Sequence, residues 1–130
     1  TFYNASKYAV EGITDSLRYE LKDFNIRVHS IMPGFFATNF AKDNLVTNAE
    51  TFREHSPYKH LVSKLAPVIV NQINKGNTTD EVAEMILEII ENDQFPARRT
   101  AGDKAKKFIP MKKELSDEDF ERRVRAYYGL

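Results

Sequence analysis

Two stretches of this chain read as β-strands, and each follows a helical pattern. Ile26-Arg27-Val28-His29-Ser30-Ile31-Met32 is rich in β-branched residues and stops at Pro33-Gly34. Ala97-Arg98-Arg99-Thr100-Ala101 is shorter and stops at Gly102. Two short strands do not make a stable sheet alone, and parallel strands need cover on both faces. The alternation of helix and strand therefore predicts an α/β fold whose remaining strands lie outside these 130 residues.

The helical patterns are read from apolar spacing. A first helix is predicted from about Asn4 to Asp23, with Val10, Ile13, Leu17, Leu21 and Phe24 as its core stripe. Ala5, Ala9, Gly12 and Ser16 form a second stripe of small residues, which permits close approach of another helix or a backbone. Asn25 is a left-handed helix stop. From Phe35 to Gly76 the pattern is irregular, with short helices broken at Pro57 and Pro67. Thr79 is the N-cap of a clearer helix, with Asp80 and Glu81 in its first turn and Val82, Ile86, Ile89 and Ile90 on its buried face. Lys104 to Lys113 reads as a basic, loop-rich segment. Ser116 opens a last helix reaching Tyr128, on which Phe120, Val124 and Tyr127 share a face.

Composition narrows the class of partner. Nineteen Lys and Arg balance 19 Asp and Glu, so bulk charge does not draw the chain to nucleic acid or to an anionic membrane. No apolar run is long enough to span a bilayer. The absence of cysteine removes disulfide and thiolate chemistry and fits a cytoplasmic setting. His29, His55 and His60 do not have metal-ligand spacing. The basic residues between Arg98 and Lys113 lack interleaved aromatics, Phe108 excepted, and acidic residues follow at once, so a solvated surface is expected there.

Chemistry concentrates near the start of the chain. Tyr3 and Lys7 are four residues apart, which puts both side chains on one helix face. A lone phenol is a poor acid or base near neutral pH, and a neighbouring ammonium favours its phenolate. Such a pair is an acid/base device. A second feature sits at the end of the first strand. There Pro33 stiffens a turn, Gly34 allows close approach to the backbone, and Thr38 adds a hydroxyl and an amide. In open α/β sheets ligands bind at this end of the strands. A site in the first turn of a chain that opens at Thr1 predicts that these residues are the C-terminal part of a longer polypeptide.

Together these residues resemble the short-chain dehydrogenase/reductase family. Tyr3-Asn4-Ala5-Ser6-Lys7 is similar to its Tyr-x-x-x-Lys element, and Pro33-Gly34-Phe35-Phe36-Ala37-Thr38 to its Pro-Gly-x-x-x-Thr turn. The likeness runs in order along nearly the whole chain. It implies the C-terminal half of a Rossmann-like, doubly wound parallel sheet, incomplete here, as one partial domain over residues 1–130. It also implies an oxidoreductase that interconverts an alcohol and a carbonyl with NAD or NADP. Tyr3 would exchange a proton with the substrate oxygen, and Lys7 would assist it and hold the nicotinamide ribose. Pro33, Gly34, Phe36 and Thr38 would line the cofactor, and a segment at about 40–75 would cover a small-molecule substrate. A homodimer or homotetramer, joined to the N-terminal part of the same protein, is the implied assembly. The five glycines, at 12, 34, 76, 102 and 129, are too dispersed for the family's phosphate-cradling loop, so these residues alone are expected neither to bind cofactor well nor to turn over. The rival expectation is a non-catalytic α/β module of the same ancestry, serving interaction or oligomerisation.

Overall fold

Asn25, in the left-handed conformation at φ 57° and ψ 31°, turns the chain out of its first helix and toward the sheet. In this computed structural model, which describes residues 1–40 and 48–130, α1 spans Phe2–Glu20 and a 3-10 turn covers Lys22–Phe24. Strand β1 follows at Ser30–Pro33, then a second 3-10 turn at Ala49–Phe52. Helix α2 spans Lys59–Asn74, α3 Asp80–Glu91, strand β2 Arg98–Ala101, α4 Asp103–Glu114 and α5 Asp117–Tyr128. The two strands pair in parallel, with Ser30 opposite Arg98 and Pro33 opposite Ala101. Parallel pairing demands a crossover, and α2 and α3 supply it.

The core is small and sits where the crossover lands on the sheet. Phe36, Met85, Phe95 and Ala101 are buried together, with Ile31, Val82 and Ile89 packed against them. Beyond β1 the chain makes one further parallel bridge, between Phe36 and Asn77. The Ala37 amide donates to the Asn77 carbonyl at 3.0 Å, and the Asn77 amide donates to that of Phe35 at 3.1 Å. Gly76 is forced by this contact, since a Cβ there would lie 2.4 Å from the Phe35 carbonyl oxygen.

Polar contacts fasten the helices to the strands. Arg98 on β2 reaches Glu11 at 2.7 Å and Asp15 at 2.6 Å on α1, and the Ser30 hydroxyl donates to Glu11. The Arg27 guanidinium donates to the carbonyls of Ile89, at 3.1 Å, and Asn92, at 2.9 Å, and so closes the C-terminal end of α3.

Several expectations are corrected. The strand predicted over 26–32 begins only at Ser30. Pro67 does not break α2, and the segment from 104 to 113 is helix α4 with Pro110 inside it. Each proline removes a backbone donor, and each is exposed while the opposite face of its helix is packed. The α1 stripe is not core among the described residues: Val10, Ile13 and Phe24 are all more than half exposed. The α1 face turned inward is polar instead, because Arg98 holds Glu11 and Asp15 against the sheet. On α3 the buried residue is Met85, whereas Ile86 and Ile90 are exposed. Part of the substrate cover expected at about 40–75, residues 41–47, lies outside the described residues.

Candidate active site

Tyr3 enters the site from the first turn of α1. Its side chain is 58% exposed, and its ring lies 6.0 Å from that of Phe40, tilted by 52°. Lys7 follows one helical turn later, and its Nζ stands over the Tyr3 ring, 5.4 Å from the centroid. The i, i+4 spacing thus produces the juxtaposition it predicts, through a cation–π contact. Ser6 donates to the Tyr3 carbonyl at 2.7 Å.

The carboxyl end of β1 delivers the second group of residues. Pro33 ends the strand, and the Gly34 amide donates to the Ala101 carbonyl at 2.9 Å, which holds the turn against β2. A Cβ on Gly34 would lie 2.8 Å from the Ala105 amide nitrogen. The backbone that Gly34 admits is therefore the start of α4. Phe36 is buried in the core and shows part of its ring to the site. Thr38 is exposed, and its Oγ1 accepts from the Phe40 amide at 3.3 Å.

These residues meet around one cleft of about 1060 Å³. Tyr3, Pro33, Gly34, Phe36 and Thr38 all line it, while Lys7 stands behind Tyr3. Phe35 and Phe40 line the cleft too, whereas Phe52 is exposed elsewhere. Ile69 and Ile73 of α2, and Val82 and Ile86 of α3, add an apolar floor. Lys104, Ala105, Phe108 and Ile109 of α4, with Tyr128 of α5, complete it. Burial pushes the Tyr128 phenol up from its usual range, and the nearby Tyr127 adds to the effect.

A polar node sets α4 in place. Gly102, at φ 78°, starts the helix, and its amide donates to Glu81 Oε1 at 3.0 Å. The Asp103 amide donates to Asn77 Oδ1 at 3.1 Å, and Lys106 Nζ to Glu81 Oε1 at 2.7 Å. These contacts give the first amides of α4 the acceptors that a helix start requires. The Gly102 amide, then Lys106, holds the Glu81 carboxyl below the usual carboxylate range. Ser30, then Arg98, does the same for Glu11.

Sequence reasoning places Tyr3, Lys7 and the β1 turn, but not Asn77, Glu81, Lys104, Phe108 or Tyr128. The available signal in α4 is the spacing of Ala105, Phe108 and Ile109, which continues beneath its lysines.

Residues 1–49 match the family described as short chain dehydrogenase. The chain is 26% identical over 128 residues to an uncharacterized oxidoreductase of Schizosaccharomyces pombe, covering 98% of this chain and 52% of that protein. A 3-ketodihydrosphingosine reductase of Bacteroides thetaiotaomicron is 26% identical over 130 residues, which cover 99% of this chain and 48% of the relative. A probable short-chain type dehydrogenase/reductase of Helicobacter pylori is 32% identical over 109 residues, 84% of this chain and 39% of the relative. The chain thus spans about half the length, or less, of the curated relatives it matches. No solved structure matches.

Proposed function

We propose that this homologue of the short-chain dehydrogenases is the C-terminal portion of an NAD(P)-dependent oxidoreductase that interconverts an alcohol and a carbonyl. One observation carries the reading: a phenol with a cation over its ring shares a cleft with the carboxyl end of a parallel strand. The homology supports it.

In this reading the Tyr3 hydroxyl gives its proton to the carbonyl oxygen as that oxygen becomes an alcohol, and takes it back in oxidation. Lys7 steadies that ring from one face, its Nζ standing 5.4 Å from the ring centroid. Phe35, Phe40 and Phe108 exclude water from the reacting carbonyl and fill the space beside it. The nicotinamide, when bound, supplies or accepts the hydride.

The residues present fit the nicotinamide end of such a cofactor and not the rest of it. Pro33, Gly34, Phe36 and Thr38 line the cleft beside Tyr3, and Lys7 stands behind it as a donor for a ribose hydroxyl. No cluster of glycines offers amides to a diphosphate, so that part would be held by polypeptide outside this chain. Val10, Ile13 and Tyr19 of α1 are more than half exposed, which supports further packing against that polypeptide or against a second copy.

The test is consumption of reduced nicotinamide by the longer polypeptide, with NADH and NADPH in turn, over a series of ketones and aldehydes. Turnover with either cofactor supports the reading. No turnover and no binding of either cofactor would favour the non-catalytic module.

A further inference from the structure

The apolar cleft has one charged wall residue, and that residue is a cation. Of the described side chains lining it, Lys104 alone carries a charge, and no carboxylate joins it. Two other lysines of α4 are ion-paired, while Lys107, like Lys104, rests over the Tyr127 ring. Lys106 pairs with Glu81 and Lys112 with Asp117. Among the described residues Lys104 makes no ion pair; its Nζ rests 4.8 Å from the centre of the Tyr127 ring. A cation held by a ring face keeps its capacity for an anion. Around it, Phe108 and Ile109 of α4 and Tyr128 of α5 continue the apolar surface. Burial keeps the Tyr128 phenol in its neutral form, so it adds no competing negative charge.

We propose that the cleft takes an amphipathic alcohol or carbonyl compound whose apolar body lies along Phe40, Phe108 and Ile109 and whose carboxylate end is met by Lys104. The proposal rests on the reading of this cleft as the substrate site and deepens it. Apolar area on Phe35, Phe40, Ile69, Ile73, Phe108 and Ile109 supplies affinity without regard to the ligand's charge. Lys104, the one charged side chain among the described lining residues, supplies the sign of the preference at its end of the cleft. A carboxylate gains by approaching it, a neutral hydroxyl gains little, and an ammonium is repelled. A cofactor phosphate is the competing source of negative charge, so the test separates the two.

The experiment is calorimetric titration of the full chain, at its native length and without cofactor, with dodecanoate and dodecylammonium below their micelle concentrations and dodecan-1-ol below its solubility limit. Dodecanoate is expected to bind about fivefold more tightly than dodecan-1-ol, as one half-exposed ion pair allows, and dodecylammonium more weakly than either. Lys104→Met is expected to erase these differences. Phe108→Ala is expected to weaken all three alike, by about tenfold. Inorganic pyrophosphate is expected not to displace dodecanoate. The proposal is overturned if the three probes bind equally, if none binds, if the carboxylate preference survives in Lys104→Met, or if pyrophosphate competes. The comparison among probes on the unaltered protein needs no variant, so misfolding of a mutant does not shelter the idea. Because no cofactor is present, loss of this preference and failure of the hydride reaction are separate results.

Discussion

Replacing Gly102 by alanine tests how α4 is set against the core. Gly102 sits at φ 78°, with ψ 154°, a region essentially restricted to glycine, where a side chain costs about 1–3 kcal/mol. The added Cβ would also lie 2.9 Å from Phe36 Cε2 and 3.0 Å from Asn77 Oδ1. Phe36 is only 8% exposed and its neighbour Ala101 is fully buried, so the ring has little room to retreat. Overpacking of that kind costs about 1–3 kcal/mol more. The expected loss is therefore about 3 kcal/mol, a large share of a domain's usual stability. Urea unfolding followed by circular dichroism reads it. With a slope of about 1–3 kcal/mol per molar urea, the midpoint falls by about 1.5 M. Gly12→Ala is the control, because nothing lies within 4 Å of a Cβ at that helical site. It is expected to raise stability by about 0.5–1 kcal/mol. A Gly102→Ala protein within about 0.5 kcal/mol of the parent would refute the reasoning, and so would destabilisation by Gly12→Ala.

Other expectations follow from the polar contacts. The Glu11 and Glu81 carboxyls are held below their ordinary unfolded value in the folded state. Their stabilisation is complete above that unfolded value and is lost as pH falls through the depressed folded values. The urea midpoint should drop as the solution is acidified below about pH 5, and Glu81→Gln should flatten the profile; an unchanged slope in that variant would contradict the assignment. Arg27→Met removes the donors to the Ile89 and Asn92 carbonyls and should cost about 1–2 kcal/mol. Amide exchange should then quicken in the last turn of α3 and not in α5; equal change in both helices would argue for a global effect.

Legibility in the sequence followed locality. The Tyr3–Lys7 pair, the Asn25 stop, the β1 turn and the start of α5 depend on residues within a few positions of one another. Ser116, for example, accepts from the Asp119 amide, as its place before an acidic turn implies. Helix α2 is hidden because a proline in a helix interior costs about 3 kcal/mol, and Pro67 reads as a break on that local penalty alone; α4 is hidden because its run of lysines reads as a basic loop. The steps Leu65, Ile69 and Ile73 run on past Pro67 and bury the far face of α2. The α1 stripe misled for the opposite reason. Its apolar period is sound, yet among the described residues the sheet side is decided by Arg98, more than eighty positions away, drawing in Glu11 and Asp15. The cleft wall was illegible for the same cause: Lys104 and Tyr128 reach Tyr3 and Gly34 only through the crossover and the node at Asn77 and Glu81.

The proton-transfer role proposed for Tyr3 is tested most directly by Tyr3→Phe in the longer polypeptide, measuring kcat for carbonyl reduction together with cofactor affinity. Loss of the hydroxyl alone should lower kcat by about a hundredfold or more, with cofactor affinity nearly unchanged because the ring and Lys7 remain. Full kcat without the hydroxyl would contradict the account.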